Sequence, residues 1–211
     1  MVDFIPVLCC SKSKRIDVFY YNNHSIKFVA SPKCANDGLN LYCIPDDKIP
    51  GYEKKWRDLI VEQNHENLVR GFELYKNDIY RYLYQKYGDN FYILSAGWGI
   101  IRSSYKLPAY NISYSKQADE LIKRTEHMQW NDFNHLQDDV NAGIISSDAV
   151  IVLFSSVDYL SSFYNLTSEI KNRKKIFFKA KGIIQKEGYE YEYYNENIMT
   201  NWFYKAARNF K

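Results

Sequence analysis

The stretch Asp148-Ala149-Val150-Ile151-Val152-Leu153-Phe154 decides the fold class. Its apolar content is continuous rather than alternating, the pattern of a central parallel strand covered on both faces. Phe4-Ile5-Pro6-Val7-Leu8-Cys9-Cys10 is a second apolar run, which stops at Ser11-Lys12-Ser13-Lys14 as a buried strand entering a polar loop does. Asn90 to Ser95 reads as a third strand, and Ser25 to Ala30 alternates like a fourth. Downstream of Phe154, the sequence predicts a helix from Asp158 to Lys171 and a strand from Lys175 to Lys179. An edge strand from Tyr189 to Tyr194 follows, then a helix capped by Thr200 and running through Phe210.

Between these strands, residues 53–87 carry apolar stripes at helical spacing, broken near Gly71 and stopped by Gly88. Further helices are predicted at about Lys116 to Met128 and Asp132 to Ile144, after an irregular stretch around Pro108. Residues 31–53, with Pro32, Gly38, Pro45, Pro50 and Gly51, form a loop too long for a plain connector. Strands and helices alternate, which gives a single α/β domain over residues 1–211, with a mostly parallel sheet flanked by helices on both faces. Ligands of such sheets sit beyond the carboxyl ends of the strands. That rule selects the loops at 10–15, 95–102 and 155–159.

The chain's 211 residues and 46% hydrophobic content suffice for one sizeable core. Aromatic residues reach 17%, including 20 Tyr, which suits surfaces that stack planar ligands and equally fits AT-rich coding. A net charge of +3 permits a nucleic-acid partner without demanding one. The basic stretches at 12–15, 54–57 and 171–175 read either as phosphate contacts or as solvated faces. Cys9, Cys10, Cys34 and Cys43 fit neither a zinc ribbon nor a disulfide scaffold. No stretch approaches the roughly 18 apolar residues of a membrane span, and the N-terminus has no signal-peptide pattern. The expectation is a cytoplasmic protein without membrane partner, metal or cofactor.

The three loops carry the candidate chemistry. Cys10-Ser11-Lys12-Ser13-Lys14 presents small hydroxyls and ammonium groups suited to an anion, or is an ordinary polar turn. It lacks the glycines of a Walker loop. In Ser95-Ala96-Gly97-Trp98-Gly99, small residues let a ligand approach the backbone, and Trp98 suits stacking on a base. The competing reading docks Trp98 in the core. After the strand at 148–154, Ser155-Ser156-Val157-Asp158-Tyr159 offers Asp158 either as a helix cap or as a carboxylate able to stabilise an oxocarbenium-like sugar or activate water. Asp46-Asp47 is a weaker acid candidate, and Asp138-Asp139 is expected to face water on a helix. No Gly-x-Ser-x-Gly elbow or His-Glu-x-x-His motif occurs.

Leu94-Ser95-Ala96-Gly97-Trp98-Gly99-Ile100 resembles the Leu-Ser-Ala-x-Tyr-Gly-Leu motif of bacterial and phage proteins related to the YaaA peroxide-stress proteins. Cys10-Ser11-Lys12-Ser13-Lys14 is loosely similar to that group's first motif, and Tyr159 falls where its last strand leads to a Tyr. Pro108-Ala109-Tyr110-Asn111 is similar to its Pro-Tyr-Asp, with Ala109 inserted and Asn111 in place of Asp. The resemblance implies DNA or nucleotide chemistry, with removal of a modified base from DNA, as in phage-defence DNA glycosylases, as the leading expectation. Trp98, Tyr110 and Tyr159 would then stack a flipped base. Cys10, Ser11, Ser95, Gly97, Ser155 and Asn111 would line or read it, with Ser95 and Asn111 also candidates to hold water. Asp158 would stabilise the sugar, with Asp47 second. Lys12, Lys14 and Arg102 would hold phosphates. The alternatives are a deoxyribosyltransferase-like enzyme acting on free nucleosides or nucleotides and a non-catalytic DNA-binding damage-response module.

Overall fold

The structure is a computed structural model that describes residues 3–179, 183, 185–196 and 201–210. Strand β1 (Phe4–Cys9) opens the described chain, followed by β2 (Phe19–Tyr21), β3 (His24–Phe28) and β4 (Leu41–Cys43). Helix α1 (Trp56–Val61), β5 (Val69–Arg70), α2 (Gly71–Leu74) and α3 (Ile79–Tyr87) lead to β6 (Tyr92–Ser95) and β7 (Gly99–Arg102). Then come β8 (Lys106–Leu107), β9 (Phe133–Asn134), α4 (His135–Asn141) and β10 (Val150–Phe154). Helix α5 (Leu160–Leu166), β11 (Lys174–Phe178), β12 (Glu190–Tyr193) and α6 (Trp202–Asn209) follow.

The main sheet runs in the order β12-β11-β10-β1-β6-β7-β9. The five strands from β12 to β6 are mutually parallel, while β7 returns antiparallel to β6 and β9 follows β7. The mostly parallel α/β sheet expected from the sequence is therefore present. Strand β1 sits between β6 and β10, so the chain winds outward from it in both directions. Such a switch point leaves a crevice beyond the carboxyl end of the first strand. Register places Ile5 beside Ile151 and Val7 beside Leu153. Consecutive residues of β10 face opposite sides, and all are buried, which is why this strand tolerates no polar side chain. Each of Leu153 and Phe154, fully buried, contributes about 1.5–3 kcal/mol of apolar transfer.

A smaller sheet, β2-β3-β4, packs its Phe19 and Phe28 edge-on against Trp56 of α1. Its hairpin turns at Asn22 and Asn23, whose φ of 47° and 63° suit a two-residue turn matched to strand twist. Strand β4 lies inside the stretch read as loop from 31 to 53.

Several elements depart from expectation. The helical run at 53–87 is three short helices, with residues 62–70 non-helical and Gly71 opening α2. No helix forms at 116–128. There Asp119 accepts the N–H groups of Ile122 and Lys123, and Arg124 N–H donates to Ser113, so single turns replace a helix. The apolar residues of that segment are too sparse to bury a helical stripe. The helix read from Asp132 to Ile144 shrinks to α4, because Asn134 caps it by accepting from Gln137 N–H. Asp139 of α4 is 1% exposed rather than facing water, since it takes Arg102 and Tyr92 as partners. Strand β12 is the edge strand that alternation predicts. The cap read at Thr200 lies outside the described residues.

Candidate functional site

The carboxyl end of β1 is tied to both neighbouring strands. Cys10 N–H donates to the Leu94 carbonyl at 2.9 Å, and Tyr80 of α3 donates its hydroxyl to the Cys9 carbonyl at 2.7 Å. Cys10 Sγ shares a hydrogen bond with the Tyr159 hydroxyl at 3.2 Å and accepts Ala96 N–H at 3.4 Å. Cys10 thus joins the loops after β6 and β10 to the end of β1. Burial, with Cys10 adjacent, pushes the Cys9 thiol well above its ordinary range, so Cys9 is an apolar filler rather than a thiolate.

Behind Cys10 lies a buried tyrosine cluster. Tyr75 and Tyr110 share a hydroxyl contact at 2.6 Å, and Ser95 Oγ donates to Tyr110 at 2.8 Å. The rings of Tyr75 and Tyr80 stack at 4.3 Å. Burial raises the hydroxyls of Tyr75, Tyr80 and Tyr110 well above the ordinary tyrosine value, which keeps them neutral.

Lys14 reaches into this cluster and is 4% exposed. Its Nζ donates to the Ser11 carbonyl at 3.0 Å and stands 4.1 Å from the Tyr110 ring centre. Burial lowers the pKa of its ammonium to about 8. The loop is fixed by Arg15 N–H on the Leu74 carbonyl, 2.8 Å, and Lys76 N–H on the Ser13 carbonyl, 3.1 Å.

Three cavities adjoin this rim. One of about 570 Å³ is walled by Cys10, Ser11, Lys12, Lys76, Tyr159 and Tyr204, and no carboxylate of a described residue lines it. A second, about 320 Å³, shares Lys12 and adds Lys14, Asp17, Lys27, Tyr110 and Asn111. A third, about 640 Å³, holds Asp158, Tyr114, Arg124 and Trp130. It meets the first at the Tyr114–Tyr159 edge-to-face contact, 5.2 Å between ring centres. Arg124 stands 4.1 Å from the Trp130 ring centre and binds Asp132 through both its terminal nitrogens, at 2.9 and 2.7 Å.

The rim brings Cys10, Ser11, Lys12 and Tyr159 to one cavity, and Lys12, Lys14, Tyr110 and Asn111 to the next. Other expected site residues fall elsewhere. Trp98 is fully buried, 5.3 Å from Phe28 and stacked at 6.3 Å on Phe133, so it belongs to the core and not to a base-stacking surface. The loop it occupies is a hairpin turn. Ser95 Oγ accepts N–H from Gly97 and Trp98 at 3.2 and 3.1 Å, and a Cβ on Gly97 would meet the Tyr110 ring at 3.0 Å. Gly99 adopts φ +87°, and a Cβ there would collide with the Phe133 carbonyl. Ser95 and Gly97 are therefore structural, their polar groups turned inward.

Arg102 pairs across the hairpin with Tyr92, at the end of β6 opposite Ser95, and its guanidinium is committed to Asp139. It is remote from Lys12 and Lys14 and does not join them on a phosphate. Asp158 opens into the 640 Å³ cavity, apart from Cys10 and Ser11. Asp47 accepts Ile44 N–H at 2.8 Å within its own turn and lines none of the three cavities. Ser155 is 3% exposed, and its hydroxyl has no hydrogen-bond partner among the described residues.

The basic stretches also separate. Lys54 pairs with Glu62, Arg57 with Asp46 at 2.7 Å, Arg173 with Glu190 at 2.8 Å and Lys175 with Glu192 at 2.9 Å. Lys12, Lys14 and Lys76 have no ion pair with a described residue. Sequence reasoning missed Lys76, Tyr75, Tyr80 and Tyr204. The tyrosines sit on helical stripes that read as ordinary core, and only their grouping around β1 sets them apart. Among the described residues, no group of three or more His, Cys, Asp or Glu side chains is placed to hold a metal ion, and no helix is long and apolar enough to cross a membrane.

Comparison with protein-family models, with curated proteins and with solved structures finds no match to this chain.

Proposed function

We propose that this protein binds a phosphate-bearing deoxynucleoside unit at the carboxyl rim of β1 and cleaves its N-glycosidic bond, with modified DNA as the leading substrate. The observation that carries this reading is the pair Lys12 and Lys76, without an ion pair among the described residues, on a 570 Å³ cavity walled by Tyr159 and Tyr204, with Lys14 in the adjoining 320 Å³ cavity. Unpaired ammonium groups beside an aromatic wall suit a sugar-phosphate with its base stacked. In this reading Lys12 and Lys76 meet phosphate, Ser11 and Ser13 supply hydroxyl contacts, and Asn111 reads a base edge from the adjoining cavity. Asp158 and Asp47 take no part, because neither lines the two cavities that hold Lys12, Lys14 and Lys76. The reading takes the chain as one cytoplasmic domain with helices on both faces of its sheet.

A second reading, action on free nucleotides, is favoured by the cavity volumes of about 570 and 320 Å³, which suit a mononucleotide. The test is to incubate the protein with unmodified and modified phage DNA and with free nucleotides, then detect released base and abasic product by mass spectrometry. Base released from DNA supports the first reading and base released from nucleotides the second. Tight binding with no base released from either would contradict both.

A further inference from the structure

We propose that Lys14 is an amine nucleophile that forms a covalent iminium with C1′ of a phosphorylated 2-deoxyribose unit. This deepens the glycosidic reading above and rests on it. Lys14 is nearly buried, yet it lines the 320 Å³ cavity with Asn111 and Asp17. A lysine buried only for structure is ordinarily paired with a carboxylate, because an isolated ammonium is costly to desolvate. Among the described residues Lys14 makes no ion pair: its contacts are the Ser11 carbonyl and the faces of Tyr110 and Tyr75, at 4.1 and 5.7 Å, with the Asp17 carboxylate acting on it from the same cavity without direct contact. A phosphate would gain little from so enclosed an ammonium, whereas a desolvated amine beside a cavity is the arrangement that activates a lysine for attack on carbon.

The groups around Lys14 are the neutral hydroxyls and rings of Tyr75 and Tyr110, the Cys10 thiol and Asp17, and Lys12 and Lys27 line the same cavity, Lys27 in an ion pair with Asp37. Burial is the largest influence on its pKa, lowering it to about 8, while Cys10 and Asp17 act in the opposite direction. At pH 7 about one molecule in ten then carries the free amine.

The step balances without an added oxidant or reductant. The Lys14 nitrogen pair forms the N–C1′ bond as the C1′–base bond breaks, and the base leaves with that electron pair and takes one proton from the nitrogen. The nitrogen pair then forms C1′=N as the C1′–O4′ bond opens, and O4′ takes a proton from solvent. Water at C1′ later restores the amine and releases the sugar aldehyde.

The full-length protein is incubated, in the presence of sodium borohydride, with an oligonucleotide carrying one abasic site and, separately, with 2-deoxyribose 5-phosphate. Hydride delivered to C1′ converts an iminium into a stable secondary amine. The expected result is an adduct that survives denaturation and maps to Lys14 by peptide mass spectrometry, with a yield that rises as pH passes through about 8. An adduct with the oligonucleotide alone identifies DNA as the source of the sugar; an adduct with the sugar phosphate identifies free nucleotides. Lys14→Met should abolish trapping, and Lys54→Met, at a lysine paired with Glu62 and lining neither rim cavity, should retain it. Should Lys14→Met fail to fold, Lys14→Arg keeps the charge and is also expected to give no adduct. Absence of an adduct in the unmodified protein, or mapping to another lysine, overturns the proposal. Base release without an adduct leaves glycosidic cleavage standing and removes Lys14; an adduct without base release from any intact substrate does the reverse.

Discussion

Cys10 Sγ lies 3.2 Å from the Tyr159 hydroxyl, a contact that joins the end of β1 to the turn after β10 across 149 positions of sequence. The same hydroxyl reaches the Cys10 carbonyl at 3.4 Å. Everything at the rim depends on how these strand ends are held together.

Tyr159→Phe removes those hydrogen bonds and keeps the ring. The expected loss is about 1 kcal/mol, read as a fall of about 2–4 °C in Tm for a chain of this size. An unchanged Tm would show that the hydroxyl contact holds nothing.

Trp98→Ala should cost about 3–5 kcal/mol, because it opens a cavity between Phe28 and Phe133 and leaves Arg57 without one of its stacking rings. Chemical denaturation measures it. A variant with nearly native stability would return Trp98 to the surface role that the flanking glycines suggested.

Asp46 accepts Arg57 Nε at 2.7 Å and Asn131 N–H at 2.8 Å, while the terminal nitrogens of Arg57 are buried without a hydrogen-bond partner among the described residues. Asp46→Ala therefore leaves a buried guanidinium uncompensated, at an expected cost of about 3–5 kcal/mol. Arg57→Met should cost less, since it removes the charge along with its need for a partner. Equal losses in urea titrations of the two variants would contradict this.

His135 is held neutral to acid pH. Burial, then the neighbouring Arg102 charge, lowers its pKa to about 4, and its Nδ1 accepts Arg102 N–H at 3.3 Å. The unfolded chain protonates near 6.5, so between those values it binds more protons than the folded chain. The stabilisation from His135 is complete above pH 6.5 and is lost as pH falls toward 4, by about 2–3 kcal/mol. Unfolding measured across this window should flatten in His135→Gln, and an equally steep variant would assign the loss to other groups.

The sheet was legible in the sequence because β1, β6 and β10 carry runs of apolar residues with no competing pattern. Their shared carboxyl rim followed from fold class alone, and Cys10, Ser11, Lys12 and Tyr159 do meet there. The helix expected at 116–128 failed because its residues are held by other contacts: Ile122 and Arg124 pair through their backbones with Ser113, and the Arg124 guanidinium stands over the Tyr114 and Trp130 rings. Trp98 and Arg102 were misplaced for one reason: the segment after Ser95 folds straight back as β7 instead of leaving the sheet. That reversal turns a strand-end loop into a core hairpin and carries Arg102 to the far end. Nothing local in Gly97-Trp98-Gly99 separates an exposed aromatic from one that packs on Phe28. The tyrosine cluster around Lys14 was hidden because its members come from separate elements that meet only in the fold.

The central claim is that the rim beside β1 is where phosphate binds, and the most direct measurement is the salt dependence of equilibrium binding to a labelled oligonucleotide. Lys12→Ala/Lys76→Ala should weaken binding and reduce the slope of log K against log salt by about 1.4–1.8, the release of about two phosphate contacts. An unchanged slope in this double variant, alongside intact binding, would place the phosphate contacts elsewhere on the protein and contradict the account.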